Sequence, residues 1–398
     1  MIDYSYLSPV DDLILSHMNL NSSLILGKRI NIYSDVSAPL ELDDVDIAII
    51  GVSEYRNTHN SVGEDFSLNE VRKTLYNLFP GNWSLNISDL GDLRLGDTVS
   101  DTYLALQSIV SELLKNNIIP VIIGGSQDIT YANYRSYDYL EKTVNIVNID
   151  PNFDLGDSSK PMKNNSYLGK IILDKPHNLF NYSTLGYQTY FNSQEEIDLM
   201  QKLYFEAYRL GELSNNIQNV EPVLRDANIV TLDLKSVRSS EVSSKQKFSP
   251  NGFSGKEICA ISRYAGISNK VSSFGVYEYI PSVEDEATEM LIAQVIWYFI
   301  EGVNCRVMDS NFYNTADFQK YTVLVDEQEL IFLKSLKSSR WWVEIPFLQN
   351  SNNKLEDHSL LPCMHQDYVD ASKGVVPERW YKAPVSYTHL RAHETRLN

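Results

Sequence analysis

Cysteine is scarce in this 398-residue chain, which contains only Cys259, Cys305 and Cys363. The three lie far apart and form no CxxC pair, so the sequence excludes a disulfide-stabilised scaffold. Thiols in this number and spacing are typical of a reducing compartment, and we expect a cytoplasmic protein. Neither Cys259 nor Ser126 has a neighbouring base in the sequence, so we reject a nucleophilic role for both.

Basic residues and long apolar runs are also few. The chain has 34 Lys and Arg against 52 Asp and Glu, a formal net charge of −18. Nucleic acids and anionic membranes bind clustered Lys and Arg, so this acidic balance argues against them as the main partners. The longest apolar run, residues 290–300, is interrupted by Gln294 and predicts a core helix, because about 20 residues are needed to span a bilayer. The first residues lack the basic and apolar regions of a secretion signal.

The end of the chain differs in composition from the rest. Residues 384–398 resemble translated primer or adapter read-through, and we expect a non-native tail there. Its two histidines, His389 and His393, are therefore left out of any candidate site.

Nearly continuous apolar, β-branched runs are what the sequence does have. They predict buried strands at 46–52, 118–125, 143–150, 227–234 and 271–279. Helical patterns alternate with these runs, at 100–117, 255–266 and 284–302. Alternating strands and helices predict an α/β fold, a three-layer doubly wound parallel sheet.

The segments around these runs predict the domain organisation. We expect an N-terminal lead-in over 1–45, the α/β domain over 46–329 and a C-terminal extension over 330–383. The aromatic stretch RWWVEIPF (340–347) within the extension predicts a core strand, whereas an exposed patch there would indicate a protein partner.

Small or polar residues follow every predicted strand. In parallel sheets the functional site lies outside the carboxyl ends of the strands. That rule collects Gly51, 124–128, 150–154, 233–236 and Glu278.

The stretch NIVNIDPNFDLGD (145–157) places three polar residues at a spacing of two, Asp150, Asn152 and Asp154. In an extended strand alternate residues point to one side. We therefore expect these three side chains to converge on one point.

The order of VIIGGSQD, NIDPNFD, TLDLKS and GVYEYIP along the chain resembles the ureohydrolase family of arginase, agmatinase and formimidoylglutamase. The resemblance covers residues 45–305 and is closest to formimidoylglutamase-like sequences. It implies an arginase-like fold and hydrolysis of an amidine or guanidine C–N bond by two manganese ions that share a hydroxide.

The family pattern has a His after the Gly-Gly turn, then Asp-x-His-x-Asp, then Asp-x-Asp, with a ligand charge of −4. At three of the six matching positions this chain keeps the family's aspartate: Asp150, Asp154 and Asp233. At the other three, Gln127 and Asn152 replace histidines and Lys235 replaces an aspartate. The set now carries a formal charge of −2 and contains no histidine. An amide binds manganese poorly, and a protonated ammonium cannot bind it at all.

Of the three replacements, Lys235 has the largest expected effect on metal binding, because it puts a positive charge where the family has an aspartate. We expect its ammonium to pair with Asp233, Asp150 or Asp154 and to abolish the two-metal site, so that no manganese is expected. A single magnesium or calcium ion on the three aspartates stays open. The alternative is a buried ion-pair network that only stabilises the old site.

Residues outside the ligand set complete the comparison. The resemblance assigns Glu278 to the acid that faces a guanidinium-like substrate group. Leu168, in NSYLG, occupies the loop that carries a proton-shuttling His in arginases and cannot shuttle protons. From other loops, His177, His59 and Arg56 are candidates for ligand contact, although exposed positions are more typical of such residues.

Two functions of different class follow. The first is a non-catalytic pseudoenzyme, a binding or scaffold protein for a protein partner or a small amidine-like ligand, and a homo-oligomer by family analogy. The alternative is an active formimidoylglutamase- or agmatinase-like hydrolase of linear amidines or guanidines. Metal-independent hydrolysis, with Lys235 as electrophile and Glu278 as base, is also chemically allowed.

Overall fold

A computed structural model gives the fold. It describes residues 2–37, 39–58, 67–140, 143–157, 159–242, 249–281, 286–309, 317–325, 328–345, 360–377 and 379–382. His59 and the expected non-native tail, with His389 and His393, lie outside the described residues.

One large sheet forms the centre of the molecule. Its strands within the described residues are β1 (Leu7–Ser8), β2 (Ile30–Ile32), β3 (Ile47–Gly51), β4 (Ile87–Leu93), β5 (Ile119–Ile123), β6 (Val144–Ile149), β7 (Leu179–Tyr187), β8 (Glu206–Arg209), β9 (Ile229–Asp233) and β10 (Ser273–Tyr277). Their order is β1-β4-β3-β5-β10-β9-β6-β7-β8, and β2 also pairs with β4. The strand β1 is antiparallel to its neighbour, and the other pairs are parallel.

The five predicted strands are confirmed as β3, β5, β6, β9 and β10, each buried along its whole length. The sequence did not predict β4, β7 and β8 or the two short strands. Both β1 and β2 lie within the expected N-terminal lead-in and pair with the sheet.

Helices cover both faces of this sheet. They are α1 (Asp12–Asn19), α2 (Asn69–Asn77), α3 (Val99–Lys115), α4 (Ile129–Arg135), α5 (Tyr167–Leu173), α6 (Gln194–Lys202), α7 (Leu210–Asn215), α8 (Val220–Arg225), α9 (Gly255–Ile267) and α10 (Glu286–Asn304). None of the helices among the described residues has the length and apolar composition needed to cross a bilayer.

Alternation along a strand separates the two cores. In β3, Ile47 and Ile49 pack with α2, α9 and α10, whereas Ala48 and Ile50 pack with α3, α4 and α5. Successive side chains of a strand point to opposite faces, which is why a continuous apolar run serves both cores. The three-layer, doubly wound arginase-like fold is confirmed, and the run at 290–300 lies in the core helix α10.

A second, four-stranded antiparallel sheet follows. It contains β11 (Phe318–Val325), β12 (Gln328–Ser335), β13 (Trp341–Glu344) and β14 (Leu360–Cys363), and α11 (His365–Ala371) packs on it. The expected domain boundary at residue 330 falls inside β12. Trp341 and Trp342 are buried in β13, so the predicted core strand in the aromatic stretch is confirmed.

Arg225, at the end of α8, joins the two sheets. It donates from Nη1 to the carbonyl of Trp341 (2.7 Å), and its guanidinium lies 4.7 Å from the ring centre of Trp342. Its Nη2 pairs with Glu221 (2.6 Å). The extension is therefore fixed to the main sheet by a buried, hydrogen-bonded charge.

Candidate functional site

Four neighbouring strands bring the candidate residues to one edge of the sheet. The register pairs Tyr277 of β10 with Asp233 of β9, and Leu232 with Ile149 of β6. Because these strands are parallel, the residues at or just after their carboxyl ends, Glu278, Asp233 and Asp150, become neighbours. The loop after β5 adds Gln127 on the far side of β10.

The Gly124–Gly125 turn places Gln127. Both glycines have positive φ, +88° and +74°, and a Cβ on Gly125 would lie 2.0 Å from Ile129 Cδ1. Glycine is required here because other residues rarely adopt this backbone and there is no room for a side chain. The turn lets the backbone N–H of Gln127 donate to Glu278 Oε1 (2.8 Å).

Three aspartates form the centre of the site. One carboxylate oxygen from each of Asp150, Asp154 and Asp233 lies within 4.8 Å of the others, and all three residues are buried. Asp154 has φ +53°, so the chain turns back after β6 and returns this side chain to the cluster.

The predicted convergence of three alternate side chains is wrong for Asn152. Strand β6 ends at Ile149, and the N–H of Asn152 donates to Asp150 Oδ1 (2.7 Å) in a turn. The side-chain Nδ2 of Asn152 donates to the carbonyl of Phe191 (3.1 Å). The period-two rule applies to extended backbone, and the backbone after Asp150 is not extended.

Lys235 reaches the cluster from the short 3₁₀ turn after β9. Its Nζ lies 2.8 Å from Glu278 Oε2 and 3.6 Å from Asp233 Oδ2. The expected pair with Asp233 is confirmed, while the described residues show no ion pair with Asp150 or Asp154. The Lys235 side chain is 29% exposed, so solvent reaches it.

Glu278, matched by resemblance to a substrate-facing acid, has protein donors on both of its carboxylate oxygens. Its Oε2 accepts from Lys235, and its Oε1 accepts from the Gln127 N–H and from Asn164 Nδ2 (2.9 Å). The residue is 1% exposed and has φ +62°. A cationic substrate group would have to displace Lys235 to reach it.

Sequence reasoning missed Asn148 and Asn164. Asn148 accepts at Oδ1 from Gln127 Nε2 (2.9 Å) and Thr231 Oγ1 (2.8 Å), and donates from Nδ2 to Asp150 Oδ2 (3.0 Å). The signal was a polar residue inside an apolar strand, since buried amides need partners. No comparable signal marks Asn164, which lies in a loop.

Burial sets the protonation of the aspartates. Burial and the neighbouring Asp154 carboxylate raise the pKa of Asp150 well above its usual range. Burial likewise raises the pKa of Asp233 and, despite the nearby Lys235, raises that of Asp154 to about 8. Without a cation, crowded buried carboxylates favour the protonated form.

In the ion pair between Lys235 and Glu278, neighbouring groups favour the charged forms and outweigh the effect of burial. Burial would lower the pKa of Lys235, but the carboxylates of Asp233 and Glu278 raise it above its usual value. Burial would raise the pKa of Glu278, but Lys235 and the hydrogen bonds from Asn164 and Gln127 lower it. Lys235 and Glu278 are therefore both charged at neutral pH.

The other candidates lie apart from this cluster. His177 is exposed in a loop, and Leu168 is buried in α5. Arg56 pairs with Glu54 (2.6 Å) and donates to Thr102. Ser126 is hydrogen-bonded to Asp128.

Comparison with known proteins gives the class of this fold and site. Residues 45–301 match the model of the arginase family, so the chain belongs to that family. The formimidoylglutamase of a Geobacillus species is 26% identical over 242 residues, which span 56% of this chain and 72% of the relative. The resemblance to formimidoylglutamases is thus confirmed.

Solved structures agree on the fold. The formiminoglutamase of Trypanosoma cruzi with Mn²⁺ superposes with a TM-score of 0.60 at 18% identity, covering 68% of this chain and 97% of that one. The formimidoylglutamase of Bacillus subtilis gives a TM-score of 0.60 at 17% identity, covering 70% and 97%. At this low sequence identity, the two structures show that the fold is shared.

The donor set does not fit two manganese ions. The three aspartates offer oxygens close enough to share one ion. Two of the other matched positions hold the Lys235 ammonium and the Asn152 amide, whose nitrogen donates a hydrogen bond to the carbonyl of Phe191. An ammonium has no lone pair to donate, so Lys235 cannot serve as a metal ligand while it is protonated.

Proposed function

We propose that this protein is a non-catalytic member of the arginase family, a binding or scaffold protein without the two-manganese reaction. The observation that carries the proposal is the position of Lys235 Nζ, 2.8 Å from Glu278 and 3.6 Å from Asp233. One side chain neutralises the acid matched to substrate binding and stands beside a matched metal ligand.

The chemistry of the family explains why this substitution matters. Bound metal ions lower the pKa of a water molecule and so generate the attacking hydroxide, which in the family reaction is shared by two ions. Here a tethered cation takes the place of one ligand, and its single charge cannot activate water in that way. The nucleophile of the family reaction therefore has no equivalent among these residues.

A second candidate, an active hydrolase of linear amidines or guanidines, has one observation in its favour. The carboxylates of Asp150, Asp154 and Asp233 still converge, which is the arrangement that one catalytic ion would need. Single-ion hydrolysis would have to proceed with Glu278 engaged by Lys235.

The ligand and location are part of the same proposal. We propose a cytoplasmic protein, because its three cysteines are unpaired in the described chain. Its ligand is a small amidine-like molecule or a protein partner, and a homo-oligomer is expected by family analogy.

Turnover assays test the proposal. The purified chain is incubated in the presence of Mn²⁺ with one substrate at a time: formimidoyl-glutamate, agmatine, guanidinobutyrate or arginine. The release of ammonia, formamide or urea is measured. We expect no product above the Asp150→Asn variant, with an active formimidoylglutamase as positive control. Product formation that Asp150→Asn abolishes would establish the hydrolase instead.

A further inference from the structure

The buried cluster contains more negative than positive charge. The carboxylates of Asp150, Asp154, Asp233 and Glu278 face one ammonium, that of Lys235, which leaves a formal charge of −3 when all are ionised. An unpaired buried carboxylate is costly, so the excess has to be met by protons or by a bound cation.

Gln127 gives an independent indication of a ligand. It is fully buried, and its two nitrogens are fixed, the backbone N–H by Glu278 and Nε2 by Asn148. These partners bracket the cluster, since Asn148 in turn donates to Asp150. The remaining polar atom, Oε1, belongs to the same amide and has no hydrogen-bond partner among the described residues. A buried amide oxygen without a donor is a suitable ligand for a hard cation.

We propose that Asp150, Asp154, Asp233 and the Oε1 atom of Gln127 bind one oxygen-preferring divalent cation, and that the Lys235 ammonium permanently replaces a second. This inference rests on the proposed function, because it assumes that the two-ion centre is lost. The site would then hold one divalent ion and the Lys235 ammonium, in place of the two manganese ions of the family.

The donor types define the class of cation. Carboxylate and amide oxygens suit Mg²⁺, Ca²⁺ and Mn²⁺, whereas the imidazole and thiolate groups that favour softer ions are absent from this cluster of described residues. Water would complete the coordination, because four oxygen ligands fill only part of the shell of about six or more that these ions take.

The experiment counts ions rather than turnover. The full chain is dialysed against EDTA and titrated calorimetrically with Mg²⁺, Ca²⁺ or Mn²⁺, and bound metal is then measured by mass spectrometry. We expect one ion per chain for at least one of the three. Asp154→Asn should weaken binding by more than about tenfold, because it removes a charged ligand. The matched control is Asp157→Asn, an exposed acid on the same loop, which should leave affinity unchanged.

Lys235→Asp tests the second half of the inference. If the ammonium is what excludes another ion, this variant should bind two Mn²⁺ per chain. Retention of one ion by a folded Lys235→Asp variant would contradict that role.

The remaining outcomes separate this inference from the proposed function. No binding of any of the three ions by the folded wild type would overturn the single-ion site and leave the absence of hydrolysis standing. Two ions per wild-type chain together with turnover would overturn both. If Asp154→Asn does not fold, as judged by circular dichroism, Gln127→Ala takes its place, and unchanged affinity would remove Gln127 from the site.

Discussion

The Nζ atom of Lys235 lies 2.8 Å from Oε2 of Glu278, at the carboxyl edge of the central sheet. Glu278 also accepts hydrogen bonds from Gln127 and Asn164 at Oε1, so both of its carboxylate oxygens have donors within the protein. This pair links the end of β10 to the turn after β9.

Removing the Lys235 charge should destabilise the fold. Lys235→Met leaves Glu278 and Asp233 without their cation, and breaking a fully buried pair costs about 3–5 kcal/mol. Because the Lys235 side chain is 29% exposed, we expect a smaller loss, about 2 kcal/mol in the free energy of unfolding, measured by urea denaturation in EDTA.

A surface pair provides the control for that measurement. Lys170→Met removes an exposed partner of Asp174 (3.2 Å) and should change the free energy of unfolding by less than about 0.5 kcal/mol. Equal losses in the two variants would show that the Lys235 pair has no special importance.

The same residue should control access of amidines. Lys235→Ala frees the carboxylate of Glu278, and we expect agmatine or guanidine to bind at least about tenfold more tightly than to the wild type, which corresponds to about 1.4 kcal/mol. Lys235→Arg keeps a cation beside Glu278 and should show no such gain. Calorimetric titration of both variants measures the difference, and equal affinities would contradict competition for Glu278.

Stability without metal should fall as the pH rises. The pKa of Asp154 is raised to about 8 by burial, whereas an unfolded Asp titrates near 3.9. Between these values the folded state holds a proton that the unfolded state lacks, so the free energy of unfolding decreases with pH, by at most about 1.4 kcal/mol per unit. The contribution is complete below about pH 4 and is lost as the pH approaches 8.

Asp154→Asn checks this sign. Asn tolerates the positive φ of this position and cannot titrate, so the variant should lose less stability between pH 5 and 8 than the wild type does in EDTA. Identical pH slopes in urea denaturation would rule out Asp154 as the titrating group.

The C-terminal sheet should depend on Arg225. Arg225→Ala removes donors from the carbonyls of Trp341 and Cys363 and leaves Glu221 with Arg340 as its remaining ion-pair partner, and we expect a loss of about 3 kcal/mol and faster tryptic cleavage after β12. Arg263→Ala, which breaks a more exposed pair with Glu301, should cost less than about 1 kcal/mol. Unchanged cleavage in Arg225→Ala would mean that other contacts hold the extension.

Local pattern was sufficient for part of the fold. Strands β3, β5, β6, β9 and β10 were predictable because each is buried on both faces and is therefore apolar throughout. Strand β4 was missed because it contains Asp89 and Asp92. Their charges are neutralised by Arg72 of α2, at 2.9 and 2.7 Å, and no local pattern shows that contact.

The candidate site likewise contains residues that the sequence could place and residues that it could not. Gln127, Asp150 and Asp233 were predictable as neighbours, because parallel strands end at one edge and the motifs occur in the order of the family. Asn152 was not, because its orientation depends on where β6 stops and on a hydrogen bond to Phe191, a residue 39 positions away.

The sequence alone determined which residue types are present at the positions matched to the family's metal ligands: three acids, two amides and one ammonium. That is a matter of composition at aligned positions and needs no coordinates. Only the tertiary structure decided which carboxylates form ion pairs with Lys235. The pairing of Tyr277 with Asp233 brings Glu278 beside the turn that carries Lys235. Ion pairing falls off steeply with distance, and those distances are set by strand register rather than by separation along the chain.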